Sequence, residues 1–580
     1  EAPHEMSGLP LFTQWVADES NAANAVKTEL PVLVVMGNPP YSVSSTNKGK
    51  WIEGLMDSYK QAVRDERNIQ PLSDDYIKFI RFAQDRIERT EQGIVGFITN
   101  HAYLSGLIHR GMREQLLRTF TSLYILNLHG NAISGEVNPQ GGVDENVFDI
   151  RQGVAIILLI KELPSTGIGE VKYFDLWGTR SHKYQYLSGL DVSSTEWVTV
   201  DSSPPHYFLK PLDFSLSGEY EIAASLIDVF GTGQPKKDQG KRWGSGVKTN
   251  RDSLLVEFDH STLVDRIQQL ADDQVPDYLI QERFNIEDGR YWDTKRERQK
   301  IREVNWKQNV TKYLYRPFDV RWALYQPNLI EIGRGGASKS VMQNLLKENW
   351  SLCSMRQVVG DPFHHVFISR TVNDINVLAN HHVSQASFPL YIYPKVNEGG
   401  VKQQDWVNDK DWWPDSENSN RTPNLSPAFI ADLEAKLTLR FNPIQRAVEA
   451  GEFGPEDVFH YIYAILHSPT YRKRYAEFLK IDFPRVPLTG DPALFWALAA
   501  LGRELVGLHL LESPDVTTPI TRYPVPGDNR VEKGYPKYTR VEGEAAGRVH
   551  INQTQYFDGV PEDVWAFHVG GYQVLDKWLK

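Results

Sequence analysis

The chain has 580 residues, 41% of them hydrophobic and 24% charged, the profile of a folded protein of several domains rather than a disordered one. Its 63 Lys and Arg stand against 74 Asp and Glu, a net charge of −11, which excludes a uniform cationic coat for nucleic acid but leaves room for a local basic cleft. The single Cys353 excludes an internal disulfide and any cysteine-based zinc or iron–sulfur centre, in keeping with a cytoplasmic location.

In chain order, the opening Glu1-Ala2-Pro3-His4-Glu5 has neither an initiator Met nor an apolar signal core, so the sequence reads as a fragment of something longer. Val32-Leu33-Val34-Val35-Met36 is a short apolar run ending at Gly37, the pattern of a strand buried on both faces. Between Asp75 and Glu88, Tyr76, Phe79, Ile80 and Ala83 recur at helical spacing. Residues 93–99, 123–128 and 154–160 read as further strands, with an amphipathic helix over 110–120. Strands alternating with helices imply crossover units and a mostly parallel sheet. Ligands of such sheets sit beyond the carboxyl ends of the strands, which directs attention to the loop after Met36.

Beyond about residue 200 the rhythm changes. Pro204-Pro205, Gly231-Thr232-Gly233 and Gly244-Ser245-Gly246 punctuate the chain. Residues 235–251 carry six Lys or Arg against one acid, and residues 290–302 carry six against two. Such runs are usually solvated faces; here they are also candidates for phosphate contact, which positions a protein on DNA without specifying sequence. Residues 395–427 read as a long polar loop. Pro455 opens a helix with Val458, Tyr461, Ile462, Ile465 and Leu466 as its apolar stripe. Residues 495–511 read as a helix apolar on most sides and hence buried. No apolar run approaches the roughly 18 residues of a membrane span, so no membrane partner is expected. His364-His365 and His381-His382 lack the spacing of metal ligands, and no metal is expected.

The residues that carry chemistry are Asn38-Pro39-Pro40-Tyr41. The lone pair of an exocyclic adenine amine is delocalised into the ring, so the nitrogen is a poor nucleophile. The Asn38 amide oxygen and the Pro39 carbonyl can accept its two N–H bonds, pulling the lone pair out of conjugation and aiming it at a methyl donor. Two prolines hold φ near −65°, setting the carbonyl direction before substrate arrives. Tyr41 offers a face for a base extruded from the duplex, and such stacking is worth roughly 1–3 kcal/mol. As a bare tetrapeptide the motif could equally be a rigid turn; its place directly after an apolar strand favours the functional reading.

Residues 30–160 resemble the gamma-class amino-methyltransferases that act on adenine N6 of DNA. Asn38-Pro39-Pro40-Tyr41 is similar to their catalytic motif and residues 93–100 to their next strand and turn. The resemblance implies a Rossmann-like fold, S-adenosylmethionine as donor, and Phe148, in Val147-Phe148-Asp149, as a second aromatic against the flipped base. Residues 246–252, 315–319, 466–472 and 570–575 resemble, in order, the specificity region of type ISP restriction–modification enzymes. Those enzymes join nuclease, helicase-like, methyltransferase and target-recognition parts in one chain. Nothing in residues 1–37 resembles the family's glycine-rich donor motif. Phe230-Gly231-Thr232-Gly233 does, as in a circularly permuted enzyme, but it follows a segment that reads as helix rather than buried strand.

The resulting expectation is an α/β architecture: a partial Rossmann-like methyltransferase lobe over 1–200, then a large α+β target-recognition region over 201–580. The expected catalytic set is Asn38, Pro39, Pro40 and Tyr41, with Tyr41 and Phe148 holding the base. Lys248, Arg251 and Arg316 are expected on DNA phosphates, and Arg334 and Arg356 on guanine edges. The cofactor would be S-adenosylmethionine, its site incomplete here. Double-stranded DNA would be the partner, with nuclease and helicase-like domains upstream of this chain. The alternative is a non-catalytic, sequence-specific DNA-binding fragment of such an enzyme. Methylation of RNA or of protein glutamine shares the tetrapeptide chemistry and is disfavoured only by the large C-terminal region.

Overall fold

The computed structural model describes residues 15–23 and 31–580, except 43, 65, 67–68, 133–135, 137, 140, 163–166, 232–241, 290–291, 327–328, 330–336, 359–361, 379–384, 394–420 and 445–450. Two compact units follow one another, Glu1–Asp213 and Phe214–Lys580.

The first unit is built on six strands: β1 (Val34–Gly37), β2 (Gly93–Asn100), β3 (Ser122–His129), β4 (Val154–Lys161), β5 (Glu170–Asp175) and β6 (Val198–Val200). Their order in the sheet is β1-β2-β4-β3-β5-β6. β1 pairs parallel with β2, and β3 with β5. β4 runs antiparallel between β2 and β3, and β6 antiparallel to β5, so the sheet is mixed rather than mostly parallel. Among the described residues the connection from β3 to β4 holds no helix to carry the chain back along the sheet, and β4 returns in the opposite sense.

Helices α1 (Lys50–Lys60), α2 (Asp75–Glu88) and α3 (Arg110–Thr119) cover one face. Met56, Tyr59, Ile77, Ile80, Met112 and Leu116 pack there on Val95, Ile125, Ile157 and Val171. The apolar stripe of α2 is Tyr76, Ile77, Ile80, Ala83 and Ile87; Phe79, expected on it, is exposed. The other face is covered at its far end, where Phe174 and Ile156 meet Tyr186 and Leu187 of helix α4 (Arg180–Gly189). β1 therefore departs from the expected doubly buried strand. It is an edge strand, and Val34 is 59% and Met36 80% exposed. An apolar run fits burial on both faces, but the neighbours decide whether burial occurs.

Among the titratable groups this unit holds against water are Arg113 and His109. Arg113 is fully buried, its guanidinium donating to the carbonyls of Tyr103, Gly106 and His206. His109 is buried, and neither ring nitrogen has a partner among the described residues. Burial first, and the Arg113 charge second, push its pKa down to about 3. A histidine with a depressed folded pKa stabilises the fold above its unfolded pKa of about 6.5, and that stability drains away as pH falls below it. The urea midpoint of the protein should therefore fall between pH 7 and pH 5. His109→Phe should flatten that dependence, by up to about 1.4 kcal/mol per pH unit for this one group.

The second unit contains a four-stranded sheet of β7 (Val256–Glu257), β8 (Val310–Arg316), β9 (Asp319–Leu324) and β12 (Val372–Asn373), ordered β12-β8-β9-β7. A three-stranded antiparallel sheet joins β10 (Ser351–Ser354), β11 (Val366–Ser369) and β13 (Ala386–Pro389). The largest core of the unit surrounds the latter sheet and helix α5 (Pro455–His467), which is buried along most of its length. Helix α6 (Pro492–His509) packs on α5, and only its Phe495, Ala499, Gly502 and Val506 are buried. A Cβ at Gly502 would meet the His460 carbonyl oxygen at 1.9 Å, so the two helices approach at backbone distance. By length and composition α6 would pass for a membrane span. It is not the fully buried helix its sequence suggests, because Leu494 and Leu501 face outward. The expected long loop at 395–427 lies mostly outside the described residues, although Thr422–Pro423 forms a short strand with Tyr391–Ile392. Strands at Lys537–Thr539, Ala546–His550 and Tyr556–Pro561 make a small antiparallel sheet near the end of the chain.

Candidate functional site

Parallel strands β1, β2, β3 and β5 end on the same side of the sheet, and the chain's chemistry-bearing groups gather at those carboxyl ends. Gly37 pairs with Phe97, so Asn38 leaves the sheet where β2 runs out towards Asn100. Asn38 and Pro40 are exposed, Pro39 is buried and Tyr41 is half-buried. The far side of the motif is pinned. The Ser42 N–H donates to Asp74 Oδ1 at 2.7 Å, and the Asp75 N–H donates back to the Ser42 carbonyl at 3.2 Å. Asp74 sits at the N-cap of α2, and burial raises its pKa against the hydrogen bonds that lower it.

Tyr41 meets Tyr76 edge to face, ring centroids 5.9 Å apart and planes at 81°. Its hydroxyl is buried without a hydrogen-bond partner among the described residues. Burial, then the Asp74 charge, push its pKa up to about 12. The ring is thus packed against the unit's core. Phe148 lies in the β3–β4 connection, half-buried against Leu126, Leu128, Val147, Val154 and Leu176. Val154 opposes both Asn100 and His129, which places the connection at the same end of the sheet as Asn38. The connection is held by Lys183, fully buried, whose ammonium donates to Asp144 Oδ1 and to the carbonyls of Leu128 and Glu145, each at 2.7 Å. Sequence reading missed this residue, because α4 has only weak amphipathic character and an isolated lysine on it looks solvated.

The glycine motif considered for the donor does not follow a strand. Phe230 ends the helix Leu226–Phe230, and Gly231 takes φ +79° after it, a backbone region that favours glycine. Thr232 and Gly233 lie outside the described residues.

In the second unit the motif segments converge. The Tyr315 hydroxyl donates to Asp252 at 2.8 Å, the Tyr313 hydroxyl to Asp374 at 2.7 Å, and Arg316 pairs with Asp374 at 3.0 Å. Arg316 lies over the Tyr315 ring at 3.9 Å and within 5.9 Å of Tyr572. Arg316 is therefore largely buried, its charge balanced by Asp374 rather than turned to solvent. Arg251 stacks on Trp292 at 4.1 Å, Lys248 is exposed, and Arg356 is exposed in an ion pair with Asp482 at 2.8 Å. Arg334 lies outside the described residues.

The second basic run is not a solvated face throughout. Arg298 is buried, donating to the carbonyls of Leu270 and Val275 and to Asp277. Lys300 and Arg296 both pair with Glu297. Unforeseen cations instead gather on the four-stranded sheet. Lys312 stands over Trp322 at 4.0 Å, and Arg321 lies between Phe258 at 3.9 Å and Tyr315 at 4.1 Å. Lys577 has its pKa lowered by burial and then by the Arg316 and Arg321 charges. Such cation–π contacts hold the charged heads against the sheet surface. Strand register brings these groups together, as Lys312 directly opposes Trp322, and Tyr315, two residues from Arg321's partner Tyr313, lies diagonally across from Arg321. His365 is buried with neither ring nitrogen partnered among the described residues, and burial pushes its pKa down to about 3. His381 and His382 lie outside the described residues.

The profile of the Type ISP C-terminal specificity domain matches residues 241–580, more than half of the chain, and the protein belongs to that family. No curated protein matches the sequence. Among solved structures, the chain is similar to the ATP-dependent Type ISP restriction-modification enzyme LlaBIII bound to DNA, at 21% identity and a TM-score of 0.70 over 99% of this chain and 36% of that one. A nuclease-deletion mutant of the Type ISP restriction-modification enzyme LlaGI, in complex with a DNA substrate mimic, gives 20% identity and a TM-score of 0.67, covering 97% of this chain and 49% of that one. A DrdV–DNA complex gives 22% identity and a TM-score of 0.67, covering 98% and 53%. At these identities the likeness is one of fold, and the chain spans about a third to a half of each.

Proposed function

We propose that the chain is the DNA-reading part of a restriction–modification enzyme, and that its first unit supplies the acceptor half of an adenine-N6 methyltransferase site. What carries the DNA reading is the family match over residues 241–580, on a unit whose four-stranded sheet bears cations stacked on aromatic rings. The three similar structures are all described with DNA. Lys248, in the first basic run, and Lys312, on the four-stranded sheet, are exposed and are the cations this reading sets on phosphates. Fluorescence anisotropy with duplex DNA at several salt concentrations tests this. Lys248→Ala or Lys312→Ala should weaken binding similarly on all sequences, and each should reduce the salt slope by about 1, the effect of one phosphate left without its cation. An unchanged slope in both variants would remove these residues from the interface.

The methyl-transfer reading is favoured by a separate observation: Asn38 is exposed at the carboxyl end of β1, in a turn fixed by Ser42 on Asp74. Asn38 and Pro39 would accept the amino hydrogens, and Tyr41 and Phe148 would hold the base. S-adenosylmethionine supplies the methyl group, and nothing among the described residues forms a glycine-rich cradle for it. Calorimetry with S-adenosylmethionine separates the readings. Donor binding by this chain supports a competent enzyme, whereas DNA binding without donor binding supports a reader that needs a further segment for catalysis.

A further inference from the structure

At the carboxyl ends of β2 and β3, His101 follows β2, His129 closes β3, and Glu136 stands in the β3–β4 connection. One ligand atom from each lies within 4.8 Å of the others. The arrangement around them is that of a built site. His101 Nδ1 donates to Asn127 Oδ1 at 3.0 Å, which leaves the Nε2 lone pair to serve as a ligand. His129 Nε2 donates to Asp175 Oδ1 at 2.7 Å, and its Nδ1 lies 2.8 Å from Glu136 Oε1 and 3.4 Å from the Asn127 amide nitrogen, so an ion taken up here replaces the proton held between Nδ1 and Oε1. The second Glu136 oxygen accepts the Asn131 N–H at 3.1 Å, so Oε1 is the one turned inward.

Behind the two histidines the supporting groups are themselves linked. Asn127 donates to the Tyr173 hydroxyl at 2.9 Å, and that hydroxyl donates to Asp175 at 2.5 Å. Metal-bound histidines are oriented by such partners on their far nitrogen. The fold also invests in this geometry. His129 adopts φ +53°, a region that costs a non-glycine residue free energy, and its ring stacks on Trp177 with centroids 3.3 Å apart. A Cβ at Gly153 would lie 2.2 Å from the His101 ring, so only glycine admits the imidazole there.

From this geometry we infer that His101 Nε2, His129 Nδ1 and Glu136 Oε1 bind a divalent transition metal, zinc by donor type. A tetrahedral zinc with bonds near 2.0–2.1 Å spaces its ligands by roughly 3.3 Å, so shifts of about an ångström bring the three atoms into place. Asn131, 3.2 Å from His101 Nε2 through its amide nitrogen, can turn its oxygen inward as a fourth donor, or water fills that position. The ion would tie the connection that carries Phe148 to the ends of β2 and β3. It takes no part in methyl transfer, and the inference does not rest on that reading.

The test uses the tag-free full chain, treated with chelator and then titrated with Zn2+ and with Co2+. The expected result is one tightly held zinc per chain, a cobalt d–d absorption of tetrahedral intensity, and a raised Tm with zinc. His101→Ala and Glu136→Gln, each checked for folding by circular dichroism, should lose the bound metal. Asp175→Asn should weaken binding by about 10- to 100-fold. No stoichiometric zinc and no cobalt band in the wild-type chain would overturn the inference, as would unchanged uptake in the folded His101→Ala and Glu136→Gln variants. In either case His129 is simply a cation bridging Glu136 and Asp175.

Discussion

Asn38→Ala, introduced into the complete enzyme that contains this chain, should lower the rate of methyl transfer by about 10²- to 10³-fold, or roughly 3–4 kcal/mol in the barrier, with little change in DNA affinity. The magnitude is that of removing one preorganised polar group from a site where charge develops. The direction follows from placement. The amide stands at the end of β1, backed by a buried Pro39 and by the Ser42–Asp74 hydrogen bond, so truncating the side chain removes the acceptor that the proposed mechanism assigns to an adenine N–H. Single-turnover measurement with radiolabelled donor reads the chemical step apart from product release. A rate within a few-fold of wild type would take Asn38 out of the mechanism.

Lys183→Met should destabilise the first unit by about 3–5 kcal/mol, the usual consequence of leaving a buried partner charge uncompensated. The side chains of Lys183 and Asp144 are both buried, and their charged atoms are 2.7 Å apart. Asp144 also accepts the Gly130 and Gly178 N–H groups, so the carboxylate cannot turn to water without unpicking two turns. Urea unfolding measures the loss. The double variant Lys183→Met with Asp144→Asn should recover part of it, because the uncompensated charge is gone. A single variant costing less than about 1 kcal/mol would mean that the pair is not the tether of the Phe148 connection.

Local pattern carried much of the architecture. Helix α2 begins and ends at the residues its periodicity marks, because Asp74 and Asp75 supply the start and the apolar stripe the length. The short apolar runs of β2, β3 and β4 leave little freedom in their bounds, and Pro455 opens α5 where a first-turn proline belongs. The motif Asn38–Tyr41 and its position after a strand were equally legible. Properties that depend on what lies alongside were not. The antiparallel sense of β4 follows from how the chain returns after β3, and the exposure of β1 from its being an edge. The buried role of Arg298 is invisible in a run of charges, since carbonyl and carboxylate groups from elsewhere in the chain claim it. The pairing of Lys312 with Trp322, and the meeting of His101, His129 and Glu136, are products of register and of loop closure. No spacing along the sequence announces them.

The reading of this chain as a DNA-sequence reader is tested most directly by selection. The purified chain is mixed with a library of random duplexes, bound DNA is recovered at physiological salt, and the pool is sequenced. The account predicts enrichment of one asymmetric motif containing an adenine, with single-base changes in it costing about 1–3 kcal/mol each. Recovery of DNA with no enriched motif, at affinities that follow salt alone, would contradict it.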